Sequence, residues 1–141
     1  MATFNKFQQF VEDVTEKVHN LGADTLKVML TNTAPVATNT FFANLTEIAA
    51  GNGYTAGGTQ ATISSSSQTS GTYKLVLADV VFTASGGTIG PFRYAVLYND
   101  TPISPADPLI GWWDYGSAVT LNAGETFTVD FDATNGVIQL V

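Results

Sequence analysis

Apolar and polar residues alternate in short two-residue periods along most of the chain, and in a sustained three-four period only near its start. From Thr72 to Asn99, TYKLVLADVVFTASGGTIGPFRYAVLYN, the residues Tyr73, Leu75 and Leu77 keep one phase, and Val80, Phe82 and Ala84 keep the opposite one. The slip at Ala78-Asp79 predicts a β-bulge, or a strand passing from one sheet to another. Ser85-Gly86-Gly87 predicts the turn of a long hairpin, because glycine reaches positive φ at little steric cost. The second arm, Tyr94-Ala95-Val96-Leu97-Tyr98, is apolar on both faces, as in a strand covered on both sides. This hairpin is the expected centre of a β-sandwich.

Before it, residues 3–21 predict an amphipathic helix. Phe4, Phe7, Val11, Val14, Val18 and Leu21 recur at spacings of three and four, and Phe10 widens the stripe. Thr3 is the expected N-cap and Gly22 the C′ residue, with His19 in the last turn, where a cation is favoured. Three valines lower its intrinsic propensity, so packing must hold it. Thr25–Thr31 predicts a first strand with Met29 partly covered. Asn32-Thr33-Ala34-Pro35 ends that strand. Residues 36–50 predict a short helix through Phe41, Phe42, Leu45 and Ile48, capped by Asn39 or Thr40. Residues 51–71 are rich in Gly, Ser and Thr. A strand is expected over 60–65, and the serine run 64–67 forms a mobile tip or polar edge.

After the central hairpin, 99–108 is a proline-punctuated loop. In Leu109 to Gly116, alternation puts Leu109, Gly111 and Trp113 on one face and Ile110, Trp112 and Asp114 on the other. Gly116-Ser117 predicts a turn, Ala118–Leu121 a short strand and Asn122-Ala123-Gly124 a tight turn. Thr126–Asp132 alternates with Phe127, Val129 and Phe131 inward. Thr134-Asn135-Gly136 signals a hairpin into a terminal strand, 137–141. The sum is mainly β: seven or eight strands in an antiparallel sandwich or barrel of the jelly-roll or immunoglobulin-like kind. One domain is expected over 1–141, with helix 3–21 and a β-sandwich over 24–141.

Composition narrows the function. No cysteine is present, which removes disulfides, thiol nucleophiles and thiolate metal sites. The N-terminus has no signal-peptide pattern, and no apolar run approaches the roughly 20 residues that span a bilayer. The net charge is −7, and the five basic residues, Lys6, Lys17, Lys27, Lys74 and Arg93, are scattered. Phosphate neutralisation needs clustered cations, so neither nucleic acid nor a membrane is an expected partner.

Candidate chemistry is sparse. His19 is the single histidine, and no G-x-S-x-G elbow accompanies it. DFDATNG, with Asp130, Asp132 and Asn135, resembles the start of a calcium loop, but Val141 stands where the closing Glu belongs. Asp100, Asp107, Asp114 and Glu125 are the candidates for a hydrolytic carboxylate pair, although Asp in loops usually serves turn chemistry. Trp112, Trp113, Tyr94, Tyr98 and Tyr115 are candidates for a sugar-binding platform or for core and interface aromatics. No catalytic residue, metal or cofactor is assigned, and the chain reads as a non-enzyme.

The stretches TLKVMLTNTAP, TEIAAGNGYTAGG, FRYAVLYND, PLIGWWDYG, LNAGETFTVDF and NGVIQLV follow in that order across residues 4–141. The set resembles small tailed-bacteriophage structural proteins of the kind encoded beside the capsid genes. That resemblance implies a virion component assembled in the bacterial host cytoplasm, foremost a capsid decoration (cement) protein clamping subunits of the major capsid protein. It also implies a homo-oligomer, with a trimer favoured on the shell. The competing readings are a receptor- or glycan-binding module on capsid or tail, and a tail or head-completion subunit. Chosen by side-chain type, the expected interface residues are Phe4, Phe7, Phe10, Val11 and Val14 of the helix, and Trp112, Trp113 and Tyr115.

Overall fold

Antiparallel strands build the molecule, as the two-residue periods predict. The computed structural model describes residues 2–141. Its strands are Asn5–Lys6 (β1), Leu26–Thr31 (β2), Thr59–Ala61 (β3), Ile63–Thr69 (β4), Thr72–Leu77 (β5), Val80–Thr83 (β6), Ile89–Asn99 (β7), Leu109–Leu121 (β8), Thr126–Val129 (β9) and Ile138–Leu140 (β10). Among the described residues the one α-helix, α1, spans Gln9–Thr15. A five-stranded sheet, β1-β8-β7-β2-β3, packs one face against two smaller sheets, β10-β5-β4 and β6-β9, in a β-sandwich. The main core between them holds Leu26, Val28, Leu30, Leu75, Leu77, Val80, Phe82, Leu97, Ile110 and Ile138, all buried.

The phase slip at Ala78-Asp79 is a change of sheet. β5 pairs with β4 and β10, and β6 pairs with β9. Leu75, Leu77, Val80 and Phe82 still all reach the same core, because the backbone turns between the two registers. Asp79 fixes that corner by accepting the Phe131 N–H at 2.9 Å. The expected hairpin does not form. Ser85-Gly86-Gly87 joins β6 to β7, which lie in different sheets, and β7 pairs with β2 and β8 instead. Thr134-Asn135-Gly136 likewise joins strands of different sheets. Turn chemistry specifies a reversal, whereas strand pairing is decided by which edges the core brings together.

β7 is covered on both sides, as its sequence predicts. Its second face, with Met29 and Leu109, forms a smaller core of Phe7, Met29, Val96, Tyr98 and Leu109. Phe42 and Leu45 cover it from the 32–50 segment, so Met29 is fully buried rather than partly covered. That segment makes only a 3-10 turn, Phe42–Asn44. Phe41, not Asn39 or Thr40, stands at its N-cap, and Asn44 inside the turn reaches back, its Oδ1 accepting the Thr40 and Phe41 N–H groups at 3.1 and 3.0 Å. The serine run is β4, a polar edge strand.

The helix expected over 3–21 is reduced to Gln9–Thr15. Asn5 and Lys6 instead pair with Trp112 and Gly111 of β8. Phe4 lies directly over Gly111, where any Cβ would collide with its ring. Phe4 also meets Trp113 at 5.2 Å, and Phe7 meets Trp112 at 4.6 Å between ring centroids. These contacts outweigh the weak propensity of a valine-rich helix. Gln8 occupies the N-cap without a side-chain bond, so Thr3 caps nothing. Lys17, at φ 70°, takes the left-handed exit expected of Gly22.

β8 runs unbroken through the expected turn at Gly116-Ser117. Its ladder to β7 is irregular: Tyr94 faces Asp114 and Phe92 faces Val119, so residues 115–118 bulge opposite Arg93 alone. A second slip near Tyr98 puts Leu109 and Trp112 in the smaller core, and Ile110 and Trp113 against the main one. Strict alternation had paired them the other way, because one slipped residue reverses every side chain beyond it.

Candidate functional site

The expected interface residues divide among three places. Phe7 and Phe10 are 0% and 5% exposed and belong to the chain's own cores, so neither is an anchor on the folded surface. Their three-four spacing marked burial inside this chain. Trp112 is half-buried against Phe7.

Phe4, Val11 and Val14 share a surface groove with Phe10, Val137, Ile138 and Leu140, between α1 and β10, with a volume of about 410 Å³. Val11 is 47% exposed and Leu140 54% exposed. These two exposed apolar side chains lie beside partly covered neighbours, so the groove is apolar along most of its length. The periodicity found its α1 half. The β10 half was unreadable, because only the folded chain brings residues 137–140 beside α1.

Trp113 and Tyr115, both on β8, line a second cleft, of about 400 Å³, between β8 and β9. Ala95, Phe127 and Val129 line it with them, and Ala2, Arg93, Thr128 and Asp130 complete the lining. The Tyr115 and Phe127 rings pack edge to face at 5.4 Å, and Trp113 packs on Phe131 at 5.5 Å. Arg93 donates from Nε and Nη2 to the two Asp114 oxygens, at 2.8 and 3.0 Å. Asp114 also accepts the Gly116 N–H at 2.8 Å, which ties down the bulge carrying Tyr115. The Arg93 hydrogen bonds, with help from that N–H, hold the Asp114 carboxyl below the usual carboxylate range. Arg93 and Phe127 were legible only as a scattered cation and an inward strand residue.

The other candidate groups have structural partners. Asp132 accepts the Thr134 and Asn135 N–H groups, both at 2.8 Å, and Asn135 Nδ2 at 2.9 Å. Bonds from Asn135 and then Thr134 hold its carboxyl low. No group of three or more His, Cys, Asp or Glu among the described residues is placed to hold a metal ion. Glu125 accepts the Asn122 N–H at 2.6 Å. Asp100 pairs with Lys27 at 2.9 Å. Asp107 is pushed up by partial burial and then by the charge of Asp100. Glu47 pins the glycine-rich loop, accepting the Tyr54 hydroxyl at 2.8 Å and the Gly57 N–H at 2.6 Å.

No protein-family model matches the chain, nor does any curated protein or solved structure. Among the described residues, no helix is long and apolar enough to cross a membrane.

His19 is buried, not a charged residue of a helix end. Asn99, itself fully buried, donates from Nδ2 to His19 Nδ1 at 3.0 Å and to Asp24 Oδ2 at 2.7 Å. Its Oδ1 accepts the Thr101 N–H at 3.1 Å, which fixes the amide's orientation. His19 Nδ1 must therefore be an acceptor, and the ring is neutral with its proton on Nε2. Burial lowers its pKa below 6.5, against the opposing charges of Asp13 and Asp24. The unfolded chain then binds the proton more readily than the folded one. Stability is fully present above pH 6.5 and falls as the pH drops from there through the folded-state pKa. Urea midpoints measured between pH 8 and pH 5 should show this loss, and His19→Gln should flatten that part of the profile. A wild-type profile that is flat over this window contradicts the neutral assignment.

Proposed function

We propose that the protein is a non-enzymatic structural component of a tailed-phage particle, decorating the outer shell by clamping neighbouring subunits of the major capsid protein. It acts there as a homo-oligomer, a trimer on the lattice. The observation that carries this reading is the α1–β10 groove, where Val11 and Leu140 remain exposed beside Phe4, Val14 and Val137. An apolar strip of this kind is stable in water only as a small patch and gains most when another protein covers it. The engagement of Asp114, Asp132, Glu47 and Glu125 in turn and loop hydrogen bonds supports a scaffold rather than a reaction centre. The order of sequence stretches that resembles phage head proteins supports the same reading.

The test is copy number in purified particles, by quantitative mass spectrometry against the major capsid protein. Decoration predicts hundreds of copies per particle. A handful of copies points to a tail, vertex or head-completion role, and absence from particles overturns the reading. Val11→Asp should leave folding within about 0.5 kcal/mol of wild type, as exposed substitutions do, while lowering incorporation into particles at least tenfold. Normal incorporation of Val11→Asp removes the groove as the contact surface.

A further inference from the structure

We propose that the cleft between β8 and β9 is a carbohydrate site that accepts one pyranose ring. It lies on different strands from the α1–β10 groove and does not rest on the decoration reading. Its volume, about 400 Å³, falls within the roughly 300–1,000 Å³ of small-ligand sites. The cleft exists because the sandwich does not close there. β9 pairs with β6, and β8 pairs with β7 and briefly with β1, so no ladder joins β8 to β9.

Its chemistry is two-sided in the way a sugar is. Trp113, Tyr115 and Phe127 supply aromatic surface, and Ala95 and Val129 add aliphatic surface beside them. Tyr115 is 57% exposed, so part of its ring is open to a ligand. The C–H face of a pyranose packs on such surface while its equatorial hydroxyls point outward. Polar groups meet them at the rim. Asp130 offers an exposed carboxylate able to accept from two neighbouring hydroxyls. Arg93 has five N–H donors and commits two to Asp114, so it offers further donors from a guanidinium already held in place. Thr128 and Tyr115 add hydroxyls.

Other occupants fit less well. A purely apolar anchor would cover Asp130 and Arg93 without satisfying them, at a desolvation cost. A phosphorylated ligand would meet Asp130 and a protein of net charge −7. A neutral ring with hydroxyls around its edge satisfies both halves of the cleft.

The probes are the methyl pyranosides of glucose, galactose, mannose and N-acetylglucosamine, added to the full chain. Binding is read by tryptophan fluorescence and by amide shifts in two-dimensional NMR. At least one should bind with a Kd of about 1–10 mM, shifting residues 113–116 and 127–130. Tyr115→Ala and Asp130→Ala alter exposed side chains, so the fold survives, and each should weaken binding at least tenfold. The proposal is overturned if no pyranoside shifts these amides at about 20 mM. It is equally overturned if a sugar binds with unchanged affinity to both variants, or if its shifts map elsewhere.

Discussion

A chain lacking residues 1–21 is expected to lose its cooperative unfolding transition. The segment contributes Phe7, Phe10 and Leu21, at 0%, 5% and 7% exposure, to the two cores. Truncating a buried Leu or Phe costs about 3 kcal/mol or more. Three such losses, on the order of 9 kcal/mol, match the entire stability of a typical domain, about 5–15 kcal/mol. The deletion also removes β1 from β8 and uncovers Gly111, over which the Phe4 ring lies. Urea unfolding followed by circular dichroism and tryptophan fluorescence checks this, since Phe4 and Phe7 pack on Trp113 and Trp112. Expected is a broad, non-cooperative profile or an insoluble product. A soluble chain with a sharp transition would mean that the N-terminal segment is a peripheral arm, and its role in particle binding would then have to be reconsidered.

Gly58→Ala is expected to cost about 3 kcal/mol or more, against about 1–2 kcal/mol for Gly86→Ala. Both glycines have positive φ, +82° and +77°. They differ in their surroundings. A Cβ at Gly86 meets nothing within 4 Å, whereas one at Gly58 runs into the backbone carbonyl of Val28 in β2. That backbone cannot yield without breaking the β2–β3 ladder, in which Val28 pairs with Thr59. Midpoints of chemical denaturation for the two variants give the difference directly. Equal losses would show that left-handed strain alone matters and that the close approach is relieved cheaply. This contact gives a physical meaning to the stretch GNGYTAGG. The loop is held by Glu47 and Tyr54, and Gly58 lets it lie against the first strand of the large sheet.

Several side chains were placed by local pattern alone. Leu75, Leu77, Val80, Phe82 and Ala84 all point inward as their alternation requires, because a strand's side-chain period follows from its own backbone. The two-faced apolar run of β7 required cover on both sides, and both are covered. The slip at Ala78-Asp79 marked a real break. The β fold class was therefore contained in the sequence.

Tertiary structure decided what depends on partners distant in the chain. Strong turn signals at 85–87 and 134–136 connect strands that pair elsewhere. Asn5 and Lys6 lie within the expected helix 3–21, yet β8 claims them as an edge strand, with the Phe4 ring over Gly111 and against Trp113. Slips in the β7–β8 ladder reassigned Leu109, Ile110, Trp112 and Trp113 between faces. Both candidate surfaces arise the same way: Val11 and Leu140 come to line one groove, and Tyr115 packs on Phe127, only after the sandwich forms. Periodicity reports which side of its own backbone a residue faces. Which other strand or helix lies on that side is set by long-range packing, and no local spacing carries that information.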